Sequence, residues 1–295
     1  MNAEANKQKV RDMQIQLEAF VRYLGEQQNR SKNTQLSYER DIRQLLGWLA
    51  ERRILHAEEV SPQDLRAYVS HLTASGRGAA TISRCVASTR AFFQYLLQQD
   101  VLVRDPSEAL RAPKVLRKAP IVLTQAEIQR LLAQPDERTP KGLRDKAMLE
   151  LLCDTGLRVS ELIGLSCSEV DLPHRMLVVQ AARQRLVPYS RRIAALLSRY
   201  EREARPELTA GVEQNWFFVN CTGEGMTRQG FWKLLKKYGK EAGIEKAITP
   251  HVMRHSFAVR ALAGGEDVHK LQQLMGHRDM SAMHGYMLLS EQSRR

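Results

Sequence analysis

Between Asp105 and Ile121 the chain loses its hydrophobic rhythm. Pro106, Pro113 and Pro120 punctuate "DPSEALRAPKVLRKAPI", among basic residues and without sustained periodicity. Each proline removes a backbone donor and disfavours helix in the residue before it. No long helix can run through such a stretch, so the chain divides into two folding blocks. An extended, positively charged linker is expected over residues 105–121, with a first domain over 12–104 and a second over 122–295.

The first block reads as helical. "MQIQLEAFVRYLGEQQ" sets Leu17, Phe20, Val21 and Leu24 at helical spacing. "SKNTQLSYERDIRQLLGWLAERR" opens on a Ser31 or Asn33 cap and should turn Leu36, Ile42, Leu45, Leu46 and Leu49 inward. A third helix starts at Ser61 and Pro62 and stops at Gly76, and "AATISRCVASTRAFFQYLLQQ" makes a fourth. Four amphipathic helices with short connections predict a small bundle. In the second block Thr124 caps "QAEIQRLLAQ", and an apolar helix, "GLRDKAMLELLCDTG", follows. A short β section, "MLVVQAARQRLVPYS", then gives way to further helices. The expected class is mainly α with a small β-sheet.

Charge narrows the partners. Lys and Arg outnumber Asp and Glu by 45 to 33, a net charge of +12. That excess favours a polyanion, nucleic acid first and an anionic membrane surface second. Cys85, Cys153, Cys167 and Cys221 form no CxxC pair, which argues against a zinc ribbon or disulfide framework and fits a reducing compartment. No run of eighteen apolar residues occurs, and "MNAEANKQKVRDMQ" lacks a signal core. A cytoplasmic protein without membrane attachment is expected.

Three stretches carry chemistry. "HVMRHSFAVR" places His251, Arg254 and His255 within about one helical turn, followed by apolar residues. Cations crowd in this way around a metal or around an anion. Val252 stands where a metalloprotease helix has its glutamate, and Arg254 would repel a metal ion. In "DTGLRVSELIGL", Arg158 opens a helix with Glu161 a turn later, an arrangement suited to a phosphate. In "LMGHRDMSAMHGYMLL", Gly276 and His277 mark a helix end and Tyr286 follows nine residues after His277.

In this order, TGLRxSEL, HxxRHSFA, LMGH and a tyrosine nine residues on resemble the tyrosine site-specific recombinases, and among them the Xer type. "SKNTQLSYERDI" is similar to that family's S-x-N-T-x-x-x-Y-x-x-D helix, "PKVLRKAPIVLTQAEI" to its interdomain linker and "MTRQGFWKLLKKYGKEAGI" to a segment that enters DNA. The resemblance spans nearly the whole chain. It implies a two-domain clamp around duplex DNA, with an N-terminal helical core-binding (SAM-like) domain and a C-terminal α+β catalytic domain.

It also implies strand cleavage without cofactor or metal, through a 3′-phosphotyrosyl link and a free 5′-hydroxyl. Carried over by motif, Tyr286 is the nucleophile, Arg158 and Arg254 hold the nonbridging oxygens, and His277 donates to a phosphate oxygen. His251 would position or deprotonate the nucleophile, because a free phenol with a pKa of about 10 attacks poorly at neutral pH. His255 and Glu161 take supporting places. Arg228 and Gln229 are candidate base readers, with Arg84 and Arg90 on the fourth helix, and Trp232 is expected in the core. The implied partner is double-stranded DNA with a palindrome-like core site. The implied assembly is a homotetramer on two sites, or a hetero-tetramer with a paralogous recombinase, working through a Holliday junction. Chromosome-dimer resolution and integration or resolution of a mobile element both fit.

Two departures stand out. The family's hairpin lysine, the acid for the leaving 5′-oxygen, has no counterpart, since no lysine occurs between Lys146 and Lys233. Arg183 is the nearest cation and a tentative stabiliser of the leaving group, although a guanidinium is a poor proton donor. The tail after Tyr286 is short for a Xer-like protein, leaving less area for a contact with a neighbouring subunit. These departures leave an alternative, a catalytically weak DNA-binding homologue that requires a partner.

Overall fold

A computed structural model describes residues 2–113, 120–180, 184–277 and 280–293. The chain separates into two compact units, residues 1–117 and 118–295.

The first unit holds α1 (Asn2–Glu26), α2 (Lys32–Glu51), α3 (Pro62–Ala74) and α4 (Ala79–Gln98). Ser31 caps α2, its hydroxyl accepting from the Thr34 amide at 3.3 Å. Ser61 and Asp64 form a reciprocal capping box ahead of α3, with Pro62 at the first helical position. Leu17, Phe20, Ile42, Leu45, Leu49, Leu65, Phe92 and Leu96 are fully enclosed in the core of this unit. Leu36 departs from expectation and is 47% exposed. At about 100° per residue it lies half a turn around α2 from Leu45, on the opposite face. The segment read as linker is partly folded. The Asp105 carboxylate accepts from the Ser107 amide and hydroxyl at 2.7 and 2.6 Å, and Leu110 joins the helical core at 4% exposure.

In the second unit, α5 (Gln125–Leu132) and α6 (Pro140–Thr155) are capped by Thr124 and Thr139. Helix α6 is buried on nearly every side and runs through the centre, where its enclosed Arg144–Asp145 pair is satisfied. Arg144 donates to Asp145 at 2.6 Å and to the Val219 carbonyl at 3.1 Å, and Tyr238 donates to the other Asp145 oxygen at 2.9 Å. After α7 (Val159–Ile163) come β1 (Val170–Asp171), β2 (Met176–Val179) and β3 (Arg185–Pro188), an antiparallel sheet in that order. Val178 faces Leu186 and Val179 faces Arg185 across the β2–β3 pair. The hairpin matches the two apolar runs of the sequence. The two-residue β1 is too short to leave a periodic signal. The remaining helices are α8 (Arg191–Arg199), α9 (Arg205–Leu208), α10 (Arg228–Glu241), α11 (Pro250–Ala263), α12 (Val268–Met275) and α13 (Ser281–Ser293).

Helices α11 to α13 enclose a satellite core of Ala258, Val259, Leu262, Leu271, Met275, Met283 and Tyr286. Trp232, expected inside, is 43% exposed beneath the Lys236 ammonium, 3.8 Å from its ring centre. Helix α10 buries Phe231, Leu234, Leu235 and Tyr238, and position 232 falls off that stripe. Among the described residues no helix is long and apolar enough to cross a membrane.

Gly156 ends α6 in the left-handed region at φ 60°, and a Cβ there would stand 2.2 Å from Phe257 Cδ1 on α11. Gly156→Ala should therefore cost about 2–4 kcal/mol, combining a strained φ with overpacking against an aromatic ring. Urea unfolding would read this directly, and a cost under about 0.5 kcal/mol would mean that the α6–α11 approach is looser than described.

Candidate active site

Thr249 caps α11, its hydroxyl accepting from the Val252 amide at 3.2 Å, so the helix starts at a defined residue and its first turns fall in register. That register sends Arg254 inward, where it is 5% exposed. Its Nη1 donates to the Gly156 carbonyl at 2.6 Å, and its Nη2 donates to the Met275 carbonyl. The same Nη2 lies 3.1 Å from His277 Nε2, which accepts because a guanidinium can only donate. Burial, with Arg158 nearby, draws the Arg254 pKa down to about 10, leaving it a cation at neutral pH.

Arg158 precedes α7 and is held by Glu161. Its amide donates to Oε2 at 2.8 Å and its Nη1 to Oε1 at 2.9 Å, while Nη2 donates to the Gly276 carbonyl at 2.7 Å. Its side chain stays 40% exposed. Arg185 on β3 approaches from the other side, with Nη1 and Nη2 on the two Glu161 oxygens at 3.0 and 2.8 Å and Nε on the Leu274 carbonyl at 2.8 Å. Burial pushes the Glu161 carboxyl upward, but the bonds from Arg185 and Arg158 outweigh it and hold the pKa below the ordinary value.

The last carbonyls of α12 thus receive three different arginines: Leu274 takes Arg185, Met275 takes Arg254 and Gly276 takes Arg158. A helix C-terminus concentrates partial negative charge on its free carbonyls, so it attracts cations. Gly276 permits this by closing the helix at φ 62°, and a Cβ there would crowd Arg158 Nη1 and Arg185 Nη1 at 3.2 Å each.

His277 follows directly. Burial and the cations Arg254 and Arg158 lower its pKa from 6.5 to about 4, so the ring is neutral and the bond from Arg254 assigns its proton to Nδ1. A depressed histidine pKa has a defined linkage. Above pH 6.5 the folded and unfolded chains are both neutral at this group. As pH falls from 6.5 towards 4 the unfolded chain takes up the proton and the folded one does not. Stability should decline through that window. His277→Gln should flatten the decline in urea midpoints, and an unchanged slope would locate the pH dependence elsewhere.

Tyr286 on α13 is 4% exposed, and its hydroxyl lies 2.6 Å from His255 Nδ1. Its ring meets His255 at 5.3 Å and His277 at 6.3 Å between centres. Burial raises the phenol pKa, with Arg254 opposing. Burial and the neighbouring His251 and Arg254 lower that of His255, so a protonated phenol donates to a neutral imidazole.

The structure therefore gathers Arg158, Arg254, His277 and Tyr286. His251 is exposed in the first turn of α11, its ring 6.3 Å from that of His255. The imidazole on the tyrosine hydroxyl is His255, which sequence reasoning had given only a supporting place. Its HxxRH position was a visible signal, but its direction depends on how α13 packs on α11. Arg183 lies outside the described residues. Arg228 and Gln229 are exposed at the start of α10. Arg84 is engaged within the bundle, donating to Asp41 at 2.6 Å and to the Ser37 carbonyl at 3.3 Å, and Arg90 is half-buried on α4. Among the described residues no group of three or more His, Cys, Asp or Glu side chains could hold a metal ion.

Comparison with known proteins places the chain in a family. The phage integrase family model matches residues 122–293, and the phage integrase N-terminal SAM-like domain matches residues 17–100. The chain belongs to the phage integrase family. It is 37% identical to tyrosine recombinase XerD of Lacticaseibacillus casei over 92% of this chain and 93% of that relative. To tyrosine recombinase XerC of Roseiflexus castenholzii it is 38% identical, over 95% and 91%. Among solved structures, the Tn1549 transposon integrase in complex with transposon right end DNA shares the fold at a TM-score of 0.73 and 22% identity, covering 94% of this chain and 97% of that one. XerH bound to its difH substrate does so at a TM-score of 0.70 and 19% identity, covering 85% and 75%.

Proposed function

We propose that this protein is a Xer-like site-specific recombinase that breaks and rejoins DNA through a phosphotyrosyl intermediate. The observation that carries the reading is the seating of Arg158 and Arg254 on adjacent carbonyls, Gly276 and Met275, with His277 and Tyr286 beside them. Two guanidinium groups held in fixed positions suit a phosphodiester that gains negative charge on attack. Tyr286 Oη attacks the phosphorus and its proton passes to His255 Nδ1. The bond to the 5′-oxygen breaks with its electron pair, and that oxygen takes a proton from solvent water to leave as a 5′-hydroxyl. His277, neutral and protonated on Nδ1, donates to a nonbridging oxygen, and His251 serves the phosphate from the exposed first turn of α11. Because the link is an ester of comparable energy, a second 5′-hydroxyl can reverse the step on a new partner strand.

Arg228 and Gln229 read base edges, and the net charge of +12 supplies salt-dependent attraction to duplex DNA. A palindrome-like target fits the solved structure of XerH on a palindromic difH substrate, and the working assembly in this reading is a tetramer on two sites, in the cytoplasm, with a Holliday junction between the exchanges. Chromosome-dimer resolution fits the XerD and XerC likeness, and transposon movement fits the integrase likeness.

Covalent trapping tests the reading. The protein is incubated with fragmented genomic DNA of its source cell, denatured in detergent, and the attached DNA is sequenced. Adducts at a discrete inverted-repeat site support the proposal. DNA retention without any adduct would sink it in favour of a binding protein that needs a catalytic partner.

A further inference from the structure

We infer that Arg185 is a positioning residue for strand cleavage, supplying the charge that lets Glu161 orient Arg158 without neutralising it. The inference rests on the phosphotyrosyl reading above. Glu161 is 7% exposed and accepts four hydrogen bonds, two from Arg158 and two from Arg185. A carboxylate paired with Arg158 alone would fix that guanidinium but cancel its attraction for a phosphate. With Arg185 in place the trio carries one net positive charge, and the exposed member is Arg158, at 40% against 12% for Arg185. Arg185 spends its Nε and an N–H of each Nη on Leu274 and Glu161, so it is turned away from substrate duty.

The bond to Leu274 extends the effect. It ties β3 to the residue two before Gly276, whose carbonyl holds Arg158, and three before His277. One side chain thus sets both the charge and the seat of two groups that meet the phosphate. A lysine cannot reproduce this, because a single ammonium cannot span both Glu161 oxygens and the Leu274 carbonyl in one plane.

The test uses the full chain and the site mapped by trapping, in single-turnover cleavage of two substrates. One carries the natural scissile phosphate, the other a methylphosphonate, which lacks charge on the replaced nonbridging oxygen. Arg185→Gln should slow cleavage of the phosphate about 100-fold, with DNA affinity within about twofold of wild type. On the methylphosphonate the deficit should shrink to about threefold or less, because the missing charge is no longer needed. Arg185→Lys keeps the charge and loses only the planar fork, so its deficit should be smaller than that of the glutamine variant and equal on the two substrates; if the glutamine protein does not fold, a phosphate-selective deficit in the lysine variant, where no charge is missing, overturns the inference. For Arg185→Gln, an equal deficit on both substrates overturns the inference and makes Arg185 a general support of α12. A wild-type chain that forms no adduct on either substrate overturns the cleavage reading, and this inference with it.

Discussion

Tyr286→Phe should bind DNA as the wild-type chain does and form no covalent adduct. The substitution removes one oxygen from a buried ring, so the satellite core of α11 to α13 keeps its shape. What is lost is the hydrogen bond to His255 at 2.6 Å, a change of about 1 kcal/mol in stability. Catalytically the loss is of another order. Without the phenol oxygen there is no nucleophile, and cleavage should drop by about 10⁴-fold or more, to the limit of detection. Detergent-resistant DNA adducts resolved on a denaturing gel give the readout, with filter binding as the control. Residual adduct would move the nucleophile to another residue. A melting temperature lowered by more than about 10 °C would mean that the hydroxyl is a structural bond rather than a stored reactant.

Arg254→Lys has the second largest expected effect, and here chemistry and stability fall together. The charge survives, but the fork that reaches Gly156, Met275 and His277 does not. Losing a preorganised donor to the transition-state oxygens should slow cleavage by about 10²–10³-fold. Each buried carbonyl left without a partner should cost about 1–3 kcal/mol, lowering the urea midpoint as well. Quenched single-turnover assays alongside urea unfolding would separate the two. A lysine variant that cleaves at the wild-type rate would show that one point charge suffices and that the geometry described here is incidental.

Much of this site could be read in the chain because its residues lie in short local patterns. Arg158 and Glu161 sit three apart at a helix start, His251 and Arg254 share a helix, and Gly276 with His277 closes another. Helix caps were legible for the same reason: Ser31, Ser61 and Thr124 act on amides only three residues away. What could not be read depends on contacts between distant segments. His255 and Tyr286 are 31 positions apart, and Arg185 and Leu274 are 89 apart. No periodicity predicts such meetings. Leu36 and Trp232 failed for a subtler reason. An apolar side chain in an amphipathic helix need not lie on the buried stripe, and a small angular error is enough to expose it.

The end of α12 has a consequence for insertions and deletions. Its carbonyls at 274, 275 and 276 are addressed in succession by side chains from β3, α11 and the start of α7. Removing a single residue from α12 would rotate that end by about 100° and shorten it by about 1.5 Å, so all three arginines would meet the wrong atoms at once. Length changes within Val268–Gly276 should therefore be among the least tolerated in the chain. Val212, 59% exposed just after α9 and ahead of the Gln214 and Trp216 carbonyls that Arg205 holds, is a more natural place for the molecule to accept added residues.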